Sequence, residues 1–301
     1  MNVIVHGGAG TVPDEPEPRQ VVLDDAAEAG ADESDVLDAV EAAVRVLESS
    51  PRFNAGVGGA VQSDGAIRTD AGVMTSDREA GAVCSMEGVE HAVSAARVVL
   101  AETPHVLVSG EHAVELAADY GVETGVDLWS ESTRERWADL DDRSEGSPRD
   151  HLDWLRDRFG GNPDDPDNSD DPKDHDTVGA VASDGEAFAA ATSTGGRWLA
   201  LAGRVGDVPQ IGSGFFAAPA GGASATGAGE DIAKTTLSRR AVRHLESGHG
   251  AQAAADRAIE EFGELTGSSA GIIVLDRDGH AGSAFNSDGM QTAVASSARG
   301  E

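Results

Sequence analysis

Residues 177–194 read TVGAVASDGEAFAAATST. Two apolar runs, 178–183 (VGAVAS) and 187–193 (AFAAATS), flank Asp184-Gly185, a dipeptide that favours the tight turn of a β-hairpin. The same design recurs where 271–275 (GIIVL) and 280–285 (HAGSAF) flank Asp278-Gly279. Strands joined by tight turns pair antiparallel, which argues against a doubly wound parallel sheet. Helical spacing fills much of the remainder. Val36, Leu37, Val40, Ala43, Val44 and Leu47 recur at helical intervals behind Ser34 or Asp35 as N-cap, with Pro51 beyond the end. Similar amphipathic stretches run about 89–101, 110–120, 229–246 and 250–263. The N-terminus, MNVIVHGGAG, reads as a short β-branched strand running into a glycine turn.

Composition narrows the function classes. Acidic residues outnumber basic ones 54 to 22, for a formal charge of −32 in 301 residues. Such a field repels nucleic acid and anionic membranes, so neither is an expected partner. Only Lys173 and Lys234 are lysines, and the other basic residues are arginines. This charge suits a protein working in concentrated salt, where screening shortens self-repulsion to about 3 Å at 1 M. A lone cysteine, Cys84, excludes an internal disulfide and a multi-cysteine zinc site and reads as a small buried apolar residue. No apolar run approaches the ~20 residues that span a bilayer, and the N-terminus has no secretory pattern, so the expected location is cytoplasmic. From Gly161 to Asp176 the chain carries seven Asp, three Pro and no large apolar residue, the composition of a flexible acidic linker. Strand grammar resumes at once with Thr177.

Taken singly, the candidate sites are weak. HGGAG at 6–10 lacks the order of a nucleotide loop, and His6 has no metal-ligand spacing around it. His175 sits in the acidic run and reads as solvated, and GSGFF at 212–216 does not match a nucleophile elbow. More telling is a concentration of hydroxyls and glycines at strand ends: Thr177, then 192–196 (TSTGG), then 226–230 (TGAGE). Between them 203–207 (GRVGD) sets Arg204 and Asp207 three apart in a glycine-flanked turn. Arginine grips a carboxylate bidentately and a carboxylate holds an ammonium, so the pair suits an amino-acid zwitterion.

The order HGGAG, FNAGVGG (53–59), HDTVGAV (175–181), ATSTGG (191–196), GRVGD (203–207) and ATGAGE (225–230) resembles the plant-type L-asparaginase/isoaspartyl peptidase family of N-terminal-nucleophile threonine hydrolases. The motifs cover nearly all the chain except 120–176. The resemblance implies one α+β domain, a four-layer αββα sandwich, that cleaves itself between Asp176 and Thr177. An α subunit of 1–176 and a β subunit of 177–301 would stay together, with an (αβ)₂ assembly. Thr177 would be the nucleophile. Its hydroxyl attacks while its freed α-amine, which ordinarily titrates near pH ~8, takes the proton. Thr194 would orient that hydroxyl, Thr226 and Gly227 would form the oxyanion site, and Asn54 would support the nucleophile and self-cleavage. Arg204 would grip the substrate α-carboxylate and Asp207 its α-ammonium, with Val205, Gly206, Thr226, Gly227, Ala228 and Gly229 in the same substrate loops.

The resemblance further implies no cofactor and no catalytic metal, with room for a structural Na⁺ in the loop at 47–56. The activity implied is release of L-aspartate from β-aspartyl dipeptides and L-asparagine. Two departures stand out. Asp70-Ala71-Gly72-Val73-Met74 is followed by Thr75-Ser76 where the family often has Asp-Gly. His175-Asp176 is nearer the pattern of glycosylasparaginases, which makes hydrolysis of Asn-linked sugars the alternative. Gly195 favours the asparaginase branch, because glycosylasparaginases usually carry Asn there.

Overall fold

The computed structural model describes residues 1–159 and 177–297. The acidic linker, His175 and Asp176 lie outside the described residues, so the expected scissile bond is described only from its Thr177 side. The elements run β1 (Asn2–Gly10), α1 (Pro16–Ala31), α2 (Val36–Glu48), β2 (Arg68–Thr75), β3 (Ala80–Glu87), α3 (Ala92–Glu102), β4 (Leu107–Ser109) and α4 (Gly110–Asp119). There follow α5 (Glu131–Ala138), α6 (Pro148–Phe159), β5 (Val178–Ser183), β6 (Phe188–Thr194), β7 (Phe215–Ala218) and β8 (Gly221–Gly227). The chain closes with α7 (Gly229–Thr235), α8 (Leu237–Glu246), α9 (Ala251–Thr266), β9 (Ala270–Asp276), β10 (Ala281–Phe285) and β11 (Gly289–Ser296).

The architecture is mixed α+β with two sheets. One is ordered β11-β1-β5-β6-β2-β3-β4 and the other β10-β9-β8-β7. Both hairpins read from Asp-Gly are present, β5 with β6 and β9 with β10, and pairing is antiparallel except for the short parallel contact of β3 with β4. Side-chain alternation explains how the sheets are covered. On β1, Val3 and Val5 join Leu23, Val40, Val44 and Leu47 of α1 and α2, while Ile4 faces the other way and meets Val181, Phe215, Ile273 and Leu275. On β9, Ile272 and Val274 pack with Val242, Leu245 and Phe262 of α8 and α9. Central strands buried on both faces need near-continuous apolar sequence, which is why GIIVL carries no polar alternation. Close approach of the sheets requires Gly72: a Cβ there would lie 2.0 Å from Cε1 of Phe215.

Three local readings change. HGGAG is not a turn: β1 continues through Gly10, shifting its register against β11 between His6 and Ala9, with Gly8 at φ 107°. The stretch 229–246 is two helices, broken at Thr236, whose φ of 52° is left-handed. Asp35 rather than Ser34 caps α2, accepting from the N–H groups of Leu37 at 2.8 Å and Asp38 at 3.3 Å. Cys84 is buried as expected.

The stretch 120–159, which carries none of the six motifs, contributes Leu128, Trp129, Trp137, Leu140 and Trp154 to a cluster with Val61, Ile67, Trp198 and Leu199. Trp137 and Trp198 meet edge to face at 6.4 Å. This arm thereby braces the segment that follows ATSTGG and carries Arg204.

Candidate active site

Antiparallel register brings the hydroxyl-rich strand ends together. Val178 stands opposite Ser193 and β6 continues to Thr194, so Thr177 and Thr194 meet at one end of neighbouring strands. Thr177 Oγ1 lies 3.4 Å from Thr194 Oγ1, a loose contact of the kind that tightens when a reacting group arrives. Thr194 Oγ1 also accepts the Gly196 N–H at 3.1 Å. Asn54 is buried and ties the following turn in place. Its Nδ2 donates to the Gly196 carbonyl at 2.6 Å, its Oδ1 accepts from Ala60 N–H at 2.8 Å, and its carbonyl accepts from Gly195 N–H at 2.8 Å.

Both threonines line a cavity of about 470 Å³. Of the residues named from sequence, Thr177, Thr194, Arg204, Gly206, Asp207, Gly227, Ala228 and Gly229 are on its wall. Asn54, Val205 and Thr226 are not: Val205 is half-exposed, and Thr226 is fully buried at the end of β8, where its Oγ1 accepts the Ala9 N–H at 3.4 Å. Sequence reasoning gave no role to Arg197, Glu230, Thr11, Ser268, Ser269 or the 286–288 turn, all of which line the cavity. Arg197 and Glu230 lie inside or beside motifs already quoted; the others come from segments with no chemical signature of their own.

Electrostatics concentrates around one guanidinium. Arg204 Nε and Nη2 each lie 2.8 Å from an oxygen of Glu230, a side-on bidentate pair. Burial alone would push the Glu230 carboxyl up, but the hydrogen bonds and charge of Arg204 outweigh it and hold the group at about 2. Asp207 is buried, its Oδ2 has no hydrogen-bond partner, and burial pushes it up to about 7, with Arg204 pulling the other way. Asp70 on β2, opposite Thr194, is also raised to about 7 by burial, against the opposing pull of a hydrogen bond from Ser85 N–H and the charge of Arg204.

Behind the cavity His6 is fully buried and neutral, its pKa lowered to about 3 by desolvation, and its Nε2 lies 2.9 Å from Ser224 Oγ. Ser224 Oγ in turn meets Thr192 Oγ1 at 2.6 Å. His6 is thus part of a hydroxyl network between the sheets. A second buried acid, Glu48, accepts from Ser193 Oγ at 2.6 Å and Val93 N–H at 3.0 Å, with burial raising its pKa. Its Oε2 makes no hydrogen bond and lies 3.4 Å from His91 Nδ1. In the stretch 47–56 the carbonyls of Leu47, Glu48, Ser50, Arg52 and Asn54 already accept hydrogen bonds, at 3.2, 2.9, 3.2, 2.7 and 2.8 Å, so a cation there would share these oxygens with the protein.

The asparaginase family matches this chain over residues 1–300, including the 120–176 stretch without motifs. A plant-type L-asparaginase of Pyrococcus abyssi is 40% identical, the alignment covering 97% of this chain and 95% of that protein. An isoaspartyl peptidase of Salmonella typhimurium is 38% identical over 97% of this chain and 94% of that protein. An isoaspartyl peptidase/L-asparaginase of Rattus norvegicus is 36% identical over 92% and 80%. A match running from end to end, on a chain whose register gathers the motif residues around one cavity, places it: the chain belongs to the asparaginase family.

Proposed function

We propose that this protein hydrolyses L-asparagine and β-aspartyl dipeptides, releasing L-aspartate, after cutting itself before Thr177. The observation that carries the reading is the arrangement of Thr177 beside Thr194 in a cavity that also presents Arg204 and Asp207. The relatives named for L-asparaginase and isoaspartyl peptidase activity support the same substrates and give no support to the glycosylasparaginase alternative.

In the uncut chain the Thr177 nitrogen is an amide and cannot accept a proton. Cleavage after Asp176 converts it into an amine next to its own hydroxyl, leaving chains 1–176 and 177–301 in one four-layer αββα unit. Helices packed outside both sheets and an apolar layer between them support that architecture. The Thr177 hydroxyl attacks the substrate side-chain carbonyl as its proton passes to the α-amine. Negative charge develops on the carbonyl oxygen and is met by the Gly227 N–H on the cavity wall, while the Thr226 hydroxyl, buried behind that wall and accepting the Ala9 N–H, has to turn toward the oxyanion to join it. Losing one such donor typically costs about 10²–10³ in rate. The tetrahedral species collapses, the C–N bond breaks, and the amine or ammonia leaves with the proton. Water then hydrolyses the β-aspartyl ester by the same route in reverse roles. Arg204 and Asp207 hold the α-carboxylate and α-ammonium throughout, and Asn54 fixes the turn beside Thr194.

Carbonyls of the 47–56 loop would hold a structural Na⁺, which has no part in these steps. An (αβ)₂ assembly, a cytoplasmic location and adaptation to salt complete the proposal. Among the described residues no helix is long and apolar enough to cross a membrane. The test is an aspartate-release assay on L-asparagine, a β-aspartyl dipeptide and a glycosylated asparagine. The expected result is aspartate from the first two alone; release only from the glycosylated substrate would reverse the assignment.

A further inference from the structure

Arg204 is expected to take the substrate carboxylate, yet its guanidinium is already engaged by a carboxylate of the protein. Glu230 occupies the Nε–Nη2 edge at 2.8 Å on both bonds. The opposite edge is left to the cavity. A Cβ built on Gly206 would fall 2.8 Å from Nη1 and 3.0 Å from Nη2, and one on Gly229 would fall 2.8 Å from Nη2 and 2.7 Å from Asp207 Oδ1. Two glycines therefore keep open the space into which the Nη edge and Asp207 both look. A guanidinium can bind one carboxylate side-on and a second end-on, because its five N–H groups form a planar fork.

We propose that Glu230 is a positioning residue: by holding Arg204 side-on, it aims the Nη edge at the substrate α-carboxylate and keeps Arg204 from collapsing onto Asp207. This rests on reading the cavity as an α-amino-acid site. The competing partner is close at hand. Asp207 is buried with Oδ2 lacking a hydrogen-bond partner, and Arg204, Glu230 and, from β2, Asp70 are the charged groups whose fields reach it. Released from Glu230, Arg204 would neutralise Asp207, and the hold on the substrate carboxylate and on its ammonium would be lost together. The device favours substrates with both α-groups free and disfavours α-amides and α-esters, which cannot accept from the Nη edge as a carboxylate does.

The experiment is steady-state kinetics and a pH profile of the processed wild type, Glu230→Gln and Glu230→Asp, with L-asparagine and a β-aspartyl dipeptide. Glu230→Gln should raise KM by about tenfold or more, the scale of one charge-assisted hydrogen bond, with kcat within about twofold. The rise of its KM toward low pH should also move to lower pH, because Asp207 paired with Arg204 stays ionised there, whereas the fall in kcat belongs to the Thr177 α-amine. Glu230→Asp should fall between the two and carries the comparison if the Gln variant is not processed. Unchanged KM and pH profile in an active Glu230 variant would overturn the role of Glu230 alone. A processed wild type inactive on both substrates would overturn the amino-acid site and this inference with it.

Discussion

The hydroxyls of Thr177 and Thr194 lie 3.4 Å apart because β5 begins where β6 ends, Val178 facing Ser193 across the ladder. One hairpin therefore delivers both groups, and its register fixes their separation. A one-residue slip would turn every side chain of β5 to the other face.

Thr194→Ala keeps the strand but removes the neighbour of the nucleophile and the acceptor for Gly196 N–H. We expect kcat to fall by about 10²–10⁴, the usual range for a group assisting proton movement in the transition state, with a smaller change in KM. Steady-state kinetics on L-asparagine checks this; a kcat within about twofold of wild type would remove Thr194 from the reaction.

Asp207 must be ionised to hold an ammonium, and burial places its pKa at about 7. As pH falls through that value the carboxylate is protonated, so KM should rise below about pH 7, in addition to the fall in kcat that protonation of the Thr177 α-amine brings. Asp207→Asn should raise KM at pH 8 and remove its pH dependence, leaving the fall in kcat in place. A KM that is flat from pH 8 to pH 5 in the wild type would contradict the assignment.

Asp70 gives a stability prediction of definite sign. Its carboxyl is raised from 3.8 to about 7, mainly by burial, so the folded state holds the proton more tightly than the unfolded chain. Its contribution is present in full below pH ~4 and is lost as pH rises to about 7. Asp70→Asn keeps an oxygen for Ser85 N–H and should be more stable than wild type by roughly 2–4 kcal/mol at pH 8. The difference should vanish near pH 4, as denaturant titrations at the two values would show.

A formal charge of −32 predicts a melting temperature that rises between 0.1 M and 1 M NaCl, over which the screening length falls from about 10 Å to 3 Å. Calorimetry at the two concentrations checks it, and equal melting temperatures would dissociate the charge from salt adaptation.

Much of this is legible in the sequence. VGAVAS and AFAAATS around Asp184-Gly185 carry their pairing in turn chemistry and apolar runs, and both are local signals. The residues on the cavity wall are recognisable by motif order, although no single motif is specific. What stays hidden depends on tertiary distance. Nothing local says that Glu230 reaches back 26 positions to Arg204, that Asp70 is sealed opposite Thr194, or that His6 joins a hydroxyl network with Ser224 and Thr192. HGGAG misleads for a related reason. Its glycines suggest a turn, but pairing with β11 carries the strand through them with one shift of register. Thr236, an ordinary helix residue by pattern, takes a left-handed conformation that divides α7 from α8.

Whether Thr177 becomes an N-terminal nucleophile is read by intact mass spectrometry of purified wild type and Thr177→Ala in high salt. The wild type should resolve into two chains that break between Asp176 and Thr177 and should release aspartate, while Thr177→Ala should stay whole and inactive. A wild type that hydrolyses asparagine as one uncut chain, or an active Thr177→Ala protein, would contradict the account.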